Sequence, residues 1–316
     1  MKKRLWVILR FAVAFVIILY LLSKISLSDV ISSILSANLI YLLSAIVVNL
    51  LVWLIASYRL KFFSDLQGLN ISTFQAFEIN LSTVFYSLFL PGGNLAGGAI
   101  KFYKLSRKDN KMSGALVALA LDRIFATIAL CAVGLLFWVM SFPDDSDLFV
   151  LIMVSILTGL GGLCFLIFFD RDQRTIGKLL GFANWIHESP KLNNSVKNLS
   201  SLGKISFLSV ALMIIISVIS QLISVIIYYL ILLSIDVNVP LVALGWIRSV
   251  VVLVTMIPIS ISGLGLRESS FIILLSAYGV NDSNAFAYSL IVFAIINIIP
   301  GMFGGLFEAR KIFQAS

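Results

Sequence analysis

The chain has 316 residues, of which 60% are apolar and 12% charged, about half the charged share of ~25% found in soluble domains. A soluble domain of this size has too little interior to hide that much apolar surface, and the same composition excludes disorder, a collagen-like chain and a disulfide scaffold. The net charge of +8 and pI near 9.5 do not indicate nucleic-acid binding, because Lys and Arg are confined largely to short connections between apolar runs. What remains is an all-α polytopic membrane protein.

Apolar stretches run over about 5–23, 38–58, 74–100, 113–140, 148–169, 206–234, 241–280 and 284–307. The first follows Met1-Lys2-Lys3-Arg4 and has no small-residue cleavage site after Leu22, so it reads as an uncleaved signal-anchor helix. Segments 1–4, 59–72, 101–111, 171–205 and 308–316 hold most of the Lys and Arg. Segments 141–147, 235–240 and 281–283 hold Asp144, Asp145, Asp147, Asp236 and Asp282 and no basic residue. The positive-inside rule makes the basic side cytoplasmic.

This sign pattern constrains two stretches. Both flanks of 74–100 are basic, with Arg59 and Lys61 before it and Lys101, Lys104, Arg107, Lys108 and Lys111 after it. Two helical crossings need about 40 residues, so the stretch enters, breaks at Pro91-Gly92-Gly93 and Gly97-Gly98, and returns. Both flanks of 241–280 carry Asp, and its centre is broken by Pro258, Gly263 and Gly265. It is therefore expected to enter from the opposite face. The fold expected is six full crossings plus two re-entrant helical hairpins, with both termini cytoplasmic; the alternative is that each hairpin is a kinked full crossing. Residues 1–316 then form a single transmembrane domain, with inverted repeats over approximately 1–140 and 148–308. Broken segments at corresponding places in two such halves point to a transport site.

Amphipathic patterning adds a short external interfacial helix over 28–36 and a cytoplasmic surface helix over 174–188, both expected to anchor rather than act.

Charges inside apolar spans are costly and are the first functional candidates. Arg10 lies near a helix end and can snorkel, and Glu78 lies near a hairpin entrance. Asp122 and Arg123 fall about ten residues into their helix, where Asp122 can pair with Lys101 or with Arg248. Arg248 sits on the first limb of the second hairpin, and Arg267-Glu268 follow its glycine break. A broken helix exposes N–H groups at membrane depth, and arginine forks suit a phosphate. Ser260 and Ser262 can add donors from this side, and Asn94 and Lys101 from the other. The alternative for Arg267-Glu268 is a mutual pair that caps the return helix.

Enzyme motifs fail one by one. The glycines at 92–97 and 93–98 are not followed by Lys-Ser/Thr, and Gly263-x-Gly265 lacks a third glycine. His187 is the sole histidine, and Cys131 and Cys164 have no metal-ligand spacing. No extramembrane segment exceeds about 35 residues, too short for a catalytic domain. No metal, cofactor or enzymatic activity is expected.

Leu90-Pro91-Gly92-Gly93 with Gly97-Gly98 and Lys101, then Leu121-Asp122-Arg123, then the run from Pro258 through Gly263, Gly265, Arg267 and Glu268 together resemble the lysylphosphatidylglycerol synthase transmembrane region, or flippase-like domain, along essentially the whole chain. The last motif is the most specific. The resemblance implies a lipid translocase. In bifunctional relatives such a domain is associated with moving aminoacylated phosphatidylglycerol, while a separate transferase domain makes the lipid. No such domain is read in these residues, so the synthase name implies no synthetic activity. Many members carry an acidic residue and Arg after the first glycine pair, where this chain has Ala99 and Lys101.

The expectation is a flippase or transporter of the inner membrane. It would move a phospholipid or lipid-linked headgroup through a groove lined by both hairpins, with membrane lipid as partner and no nucleic acid. The alternatives are a membrane-embedded transferase acting on a lipid or polyprenyl-linked substrate, and a non-catalytic partner of a lipid-modifying enzyme. Assembly as a homo-oligomer is left open.

Overall fold

The computed structural model describes residues 25–90, 93–107, 111–141, 152–162, 207–257 and 262–315. The first crossing, the 174–188 helix, His187, Cys164, Asp144, Asp145, Asp147, Pro91, Gly92, Pro258 and Ser260 lie outside these residues. The described residues form helices α1 (Leu27–Leu35), α2 (Leu39–Leu66), α3 (Thr73–Phe89), α4 (Asn94–Arg107), α5 (Met112–Ser141), α6 (Ile152–Gly162), α7 (Phe207–Ser234), α8 (Leu241–Met256), α9 (Leu266–Ser276), α10 (Asp282–Phe293) and α11 (Ile299–Ala315).

Local chemistry sets the helix ends. Ser26 caps α1, Asn38 caps α2 and Asn281 caps α10, each side-chain oxygen accepting an N–H of the first turn. Ser72 and Gln75 form a reciprocal capping box at α3. At the end of α2, Gly68 takes φ +67° while the Leu69 N–H bonds Ser64 O and the Gly68 N–H bonds Asp65 O. This is a glycine stop of the Schellman type.

Among the described residues, four helices are long and apolar enough to cross a membrane: Leu39–Leu66, Met112–Ser141, Leu208–Ser234 and Asp282–Lys311. Their outward faces are apolar, as on α2, where Leu39, Ile40, Leu43, Val47, Leu50, Leu51 and Leu54 are exposed. Polar and charged groups such as Asn49, Arg59, Asp122 and Arg248 are buried instead. This distribution fits a lipid solvent, and the chain is a multi-pass membrane protein.

Two pairs of helices are shorter. The limbs α3 and α4 measure about 26 and 21 Å, and α8 and α9 about 24 and 17 Å, all less than the ~30 Å hydrocarbon core. Each pair packs together across its break. In the first, Gly97 lies so close to α3 that a Cβ would fall 1.9 Å from Ser87 Oγ and 2.6 Å from Thr83 O. The second break touches the last turn of α3, where Ser262 Oγ donates to Ser87 O at 2.9 Å. Gly93, Ser262, Gly263 and Gly265 all have positive φ, the conformation that glycine adopts without strain.

Several helix contacts come in matching pairs. The first limb α3 packs on the last span through α11, and the first limb α8 packs on α5. Further counterparts are α4 on α5 with α9 on α10, and α2 on α3 with α7 on α8, while α2 and α7 pack on each other. Glycines make the closest approaches. Gly301, Gly304 and Gly305 face α3, and Gly134 and Gly245 mediate the α5–α8 contact.

Two expected boundaries need correction. The connection 59–72 is shorter than read, because α2 continues to Leu66 and Arg59 is a buried helix residue, 6% exposed. Nothing between Tyr58 and Gly68 breaks a helix; Arg59 and Lys61 ended the apolar run without ending the helix. Likewise α4 runs on to Arg107, so Lys101 and Lys104 are helical rather than in a loop. The crossing expected at 284–307 contains a π-helical turn over Ala294–Ile298, in which the Ile299 N–H bonds Ala294 O. Pro300 follows directly, and its ring would clash with the carbonyl four residues back in a regular helix.

Candidate functional site

A cavity of about 270 Å³ lies within the bundle between α2, α7, α8 and the π-turn. Asn49, Trp53, Ala56 and Arg59 reach it from one stripe of α2, and Ser220, Gln221, Ser224 and Tyr228 from one stripe of α7. Spacings of three and four residues put each set on a single helix face. Arg248 enters from α8 and Ile296 from the π-turn. Asn49 Nδ2 donates to Ile295 O at 2.9 Å, occupying a carbonyl of that turn.

Arg248 is 6% exposed. Its Nη2 donates to Gln221 Oε1 at 2.8 Å, and its guanidinium sits 5.2 Å from the centre of the Tyr228 ring. Gln221 is oriented by donating its Nε2 to Ala126 O at 3.2 Å. Nε and Nη1 of Arg248, and Nε1 of Trp53, are buried without a hydrogen-bond partner. Unmet buried donors on a cation are costly and call for an acceptor.

Behind the cavity, Asp122 joins three helices. Arg59 Nε donates to its Oδ1 at 2.7 Å, and Lys101 Nζ to its Oδ2 at 3.3 Å. Arg59 Nη1 also reaches Ser217 Oγ at 3.4 Å. One carboxylate thus serves two cations from α2 and α4. Of the two partners expected for Asp122, the structure brings in Lys101 and adds Arg59; Arg248 is bound to Gln221 instead.

The other sequence candidates are placed elsewhere. Arg123 is exposed on the flank of α5, and Asn94 is exposed at the start of α4. Arg267 donates to Glu268 through Nη2 and to Ser289 Oγ through Nε at 3.2 Å, and stacks 4.3 Å from the Phe293 ring centre. Glu268 accepts the Gly265 N–H at 2.6 Å, closing the first turn of α9. These contacts match the mutual-pair alternative, and neither residue lines the cavity of Arg248. Ser262 is engaged with Ser87. Among the break glycines, Gly98 has open space where a Cβ would stand.

A second cavity, of about 510 Å³, opens between the start of α3 and the ends of α4 and α11. Its carboxylates are each paired with a lysine. Glu78 pairs with Lys311 at 2.8 Å, and Glu308 accepts from Lys104, from Ser82 Oγ at 2.6 Å and from Tyr86 OH at 3.2 Å. Burial pushes the Lys104 ammonium below its ordinary value, and the Glu308 carboxylate opposes that shift. Arg107 donates to Tyr103 OH at 3.0 Å. The smaller cavity, with its unpaired donors, is the better candidate for a ligand.

The profile of the lysylphosphatidylglycerol synthase TM region matches residues 7–304. The chain belongs to that family. No curated protein matches it. In this member of the lysylphosphatidylglycerol synthase TM region family, reading the sequence missed Arg59, Trp53, Gln221 and Tyr228. The signal available was polar residues at helical spacing, Ser217, Ser220, Gln221 and Ser224, inside the otherwise apolar run of α7. Arg59 carried no such signal once it had been assigned to a loop.

Proposed function

We propose that this protein is a lipid translocase of the inner membrane, and that the Arg59–Arg248 cavity holds the lipid headgroup during passage. The observation that carries the reading is Arg248: a guanidinium 6% exposed, inside an apolar bundle, with two nitrogens unpartnered beside an open cavity. Ionisable residues inside a membrane bundle mark substrate pathways. In this reading the broken pairs α3–α4 and α8–α9 are re-entrant hairpins, supported by limbs too short to cross alone. The first crossing and the one containing α6 bring the full crossings to six. The paired packing scheme of the two halves supports an inverted repeat, and rocking of one half against the other would alternate access. The headgroup passes through the polar cavity while the acyl chains stay in lipid. Both termini face the cytoplasm, as the Lys and Arg distribution favours. No nucleotide motif is present in the sequence, so movement is downhill or coupled to an ion.

Reconstitution of the full chain in liposomes with a fluorescent phospholipid tests this. Arg248→Gln is expected to slow translocation ~10-fold or more, the loss of a charge-assisted contact being worth about 1.5–3 kcal/mol. A wild-type rate in that variant, with correct insertion verified, would remove the cavity from the mechanism.

A further inference from the structure

We infer that the Arg59–Arg248 cavity selects a compact lipid end group bearing two negative charges, a phosphate monoester or a diphosphate, and rejects a cationic headgroup. The inference rests on the cavity being the headgroup site proposed above.

Charge balance comes first. Arg59, Lys101 and Asp122 form one connected cluster of two cations and one carboxylate, which leaves one positive charge. Arg248 adds a second, and its polar partner Gln221 is neutral. The cavity lining contains two arginines and no carboxylate among the described residues. Charges held away from water are stable only when compensated, so the complementary ligand is a dianion. A phosphate monoester carries about −1.5 to −2 charges at neutral pH; a phosphodiester supplies only one.

Hydrogen-bond supply agrees. The unmet groups of Arg248 and Trp53 are all N–H donors. Both oxygens of Asp122 are taken by Arg59 and Lys101, and Gln221 Oε1 is taken by Arg248. A ligand rich in acceptors is satisfied here; an ammonium finds no free carboxylate.

Size completes the argument. At about 270 Å³ the cavity falls just below the ~300–1,000 Å³ of typical ligand pockets. It accommodates a phosphate or diphosphate, and a sugar chain or aminoacyl extension would remain outside.

The test uses the full chain in nanodiscs and three lipid probes: phosphatidic acid, phosphatidylglycerol and lysylphosphatidylglycerol, with native mass spectrometry reading bound lipid. Translocation of the same lipids is followed in liposomes. The expected result is phosphatidic acid retained ~10-fold more than phosphatidylglycerol, with lysylphosphatidylglycerol unable to displace it. Arg248→Gln removes the preference. Trp53→Phe, which deletes one N–H and keeps an aromatic, though smaller, side chain, weakens phosphatidic acid retention ~3-fold or more and guards against a folding defect in the arginine variant. If lysylphosphatidylglycerol binds as well as phosphatidic acid in an Arg248-dependent manner, the charge assignment is overturned while the headgroup site stands. If neither variant alters retention or translocation of any of the three lipids, the headgroup site falls and this inference with it.

Discussion

Asp122 is committed on both oxygens, to Arg59 on one and Lys101 on the other. Removing its charge leaves the buried Arg59 and the half-buried Lys101 facing each other without their shared anion. Asp122→Asn is therefore expected to lose about 3–5 kcal/mol of stability, the usual cost of orphaning a buried ionic partner. Thermal unfolding in detergent measures it. Adding Arg59→Met should recover part of the loss, and a double-mutant cycle isolates the coupling. Asp122 and Arg248 were legible in the sequence because a charge amid apolar residues stands out. Arg59 was not, because hydropathy drops at an arginine whether the helix ends there or goes on. Arg267 and Glu268 were equally visible as charges, but nothing in a linear sequence says whether neighbouring charges look outward or satisfy each other. The fold gives them each other, with Gly265 and Ser289 completing the set.

At the scale of elements, glycines divide into those a partner helix needs and those it does not. A Cβ on Gly304 would lie 2.1 Å from Leu81 O and 2.9 Å from Ser82 N, both backbone atoms of α3 that cannot rotate away. Gly304→Ala is expected to force α11 off α3 and to destabilise by about 1–3 kcal/mol or more. Gly98→Ala meets nothing within 4 Å and should be neutral or stabilising by up to ~1 kcal/mol through helix propensity. Comparing the melting temperatures of these two variants checks the assignment. Helix breaks with Pro and Gly were readable from the sequence, because those residues act locally. Helix ends at Leu66 and Arg107 were not, because the apolar runs close at Arg59 and at Lys101 while the helices continue past those charges.

At the scale of the whole molecule, the second break is joined to the last turn of α3 by the contact of Ser262 with Ser87. If transport requires the halves to move apart, a covalent link there stops it. With Cys131 and Cys164 replaced by Ser, a Ser87→Cys/Ser262→Cys protein treated with a short bifunctional thiol reagent should lose lipid translocation, and reductive cleavage of a disulfide-containing linker should restore it. Undiminished transport in the fully linked protein would argue against rocking of the halves. The all-helical, multi-pass character was readable because the length of the apolar runs is set by the membrane rather than by packing detail. The location of the cavity was not, because parts far apart in sequence assemble it: α2, the neighbouring pair α7 and α8, and the π-turn.

The π-turn at Ala294–Ile298 has an effect well beyond its own length. Widening a single turn advances everything after it by the equivalent of one extra residue, about 100° around the axis. Gly301, Gly304 and Gly305 face α3, and Glu308 meets Lys104, only in the phase that follows this turn. Asn49, clasping Ile295 O from the cavity wall, therefore sits at the point where the angular setting of the C-terminal helix is decided. A ligand arriving beside Asn49 would have a mechanical handle on the far end of the chain.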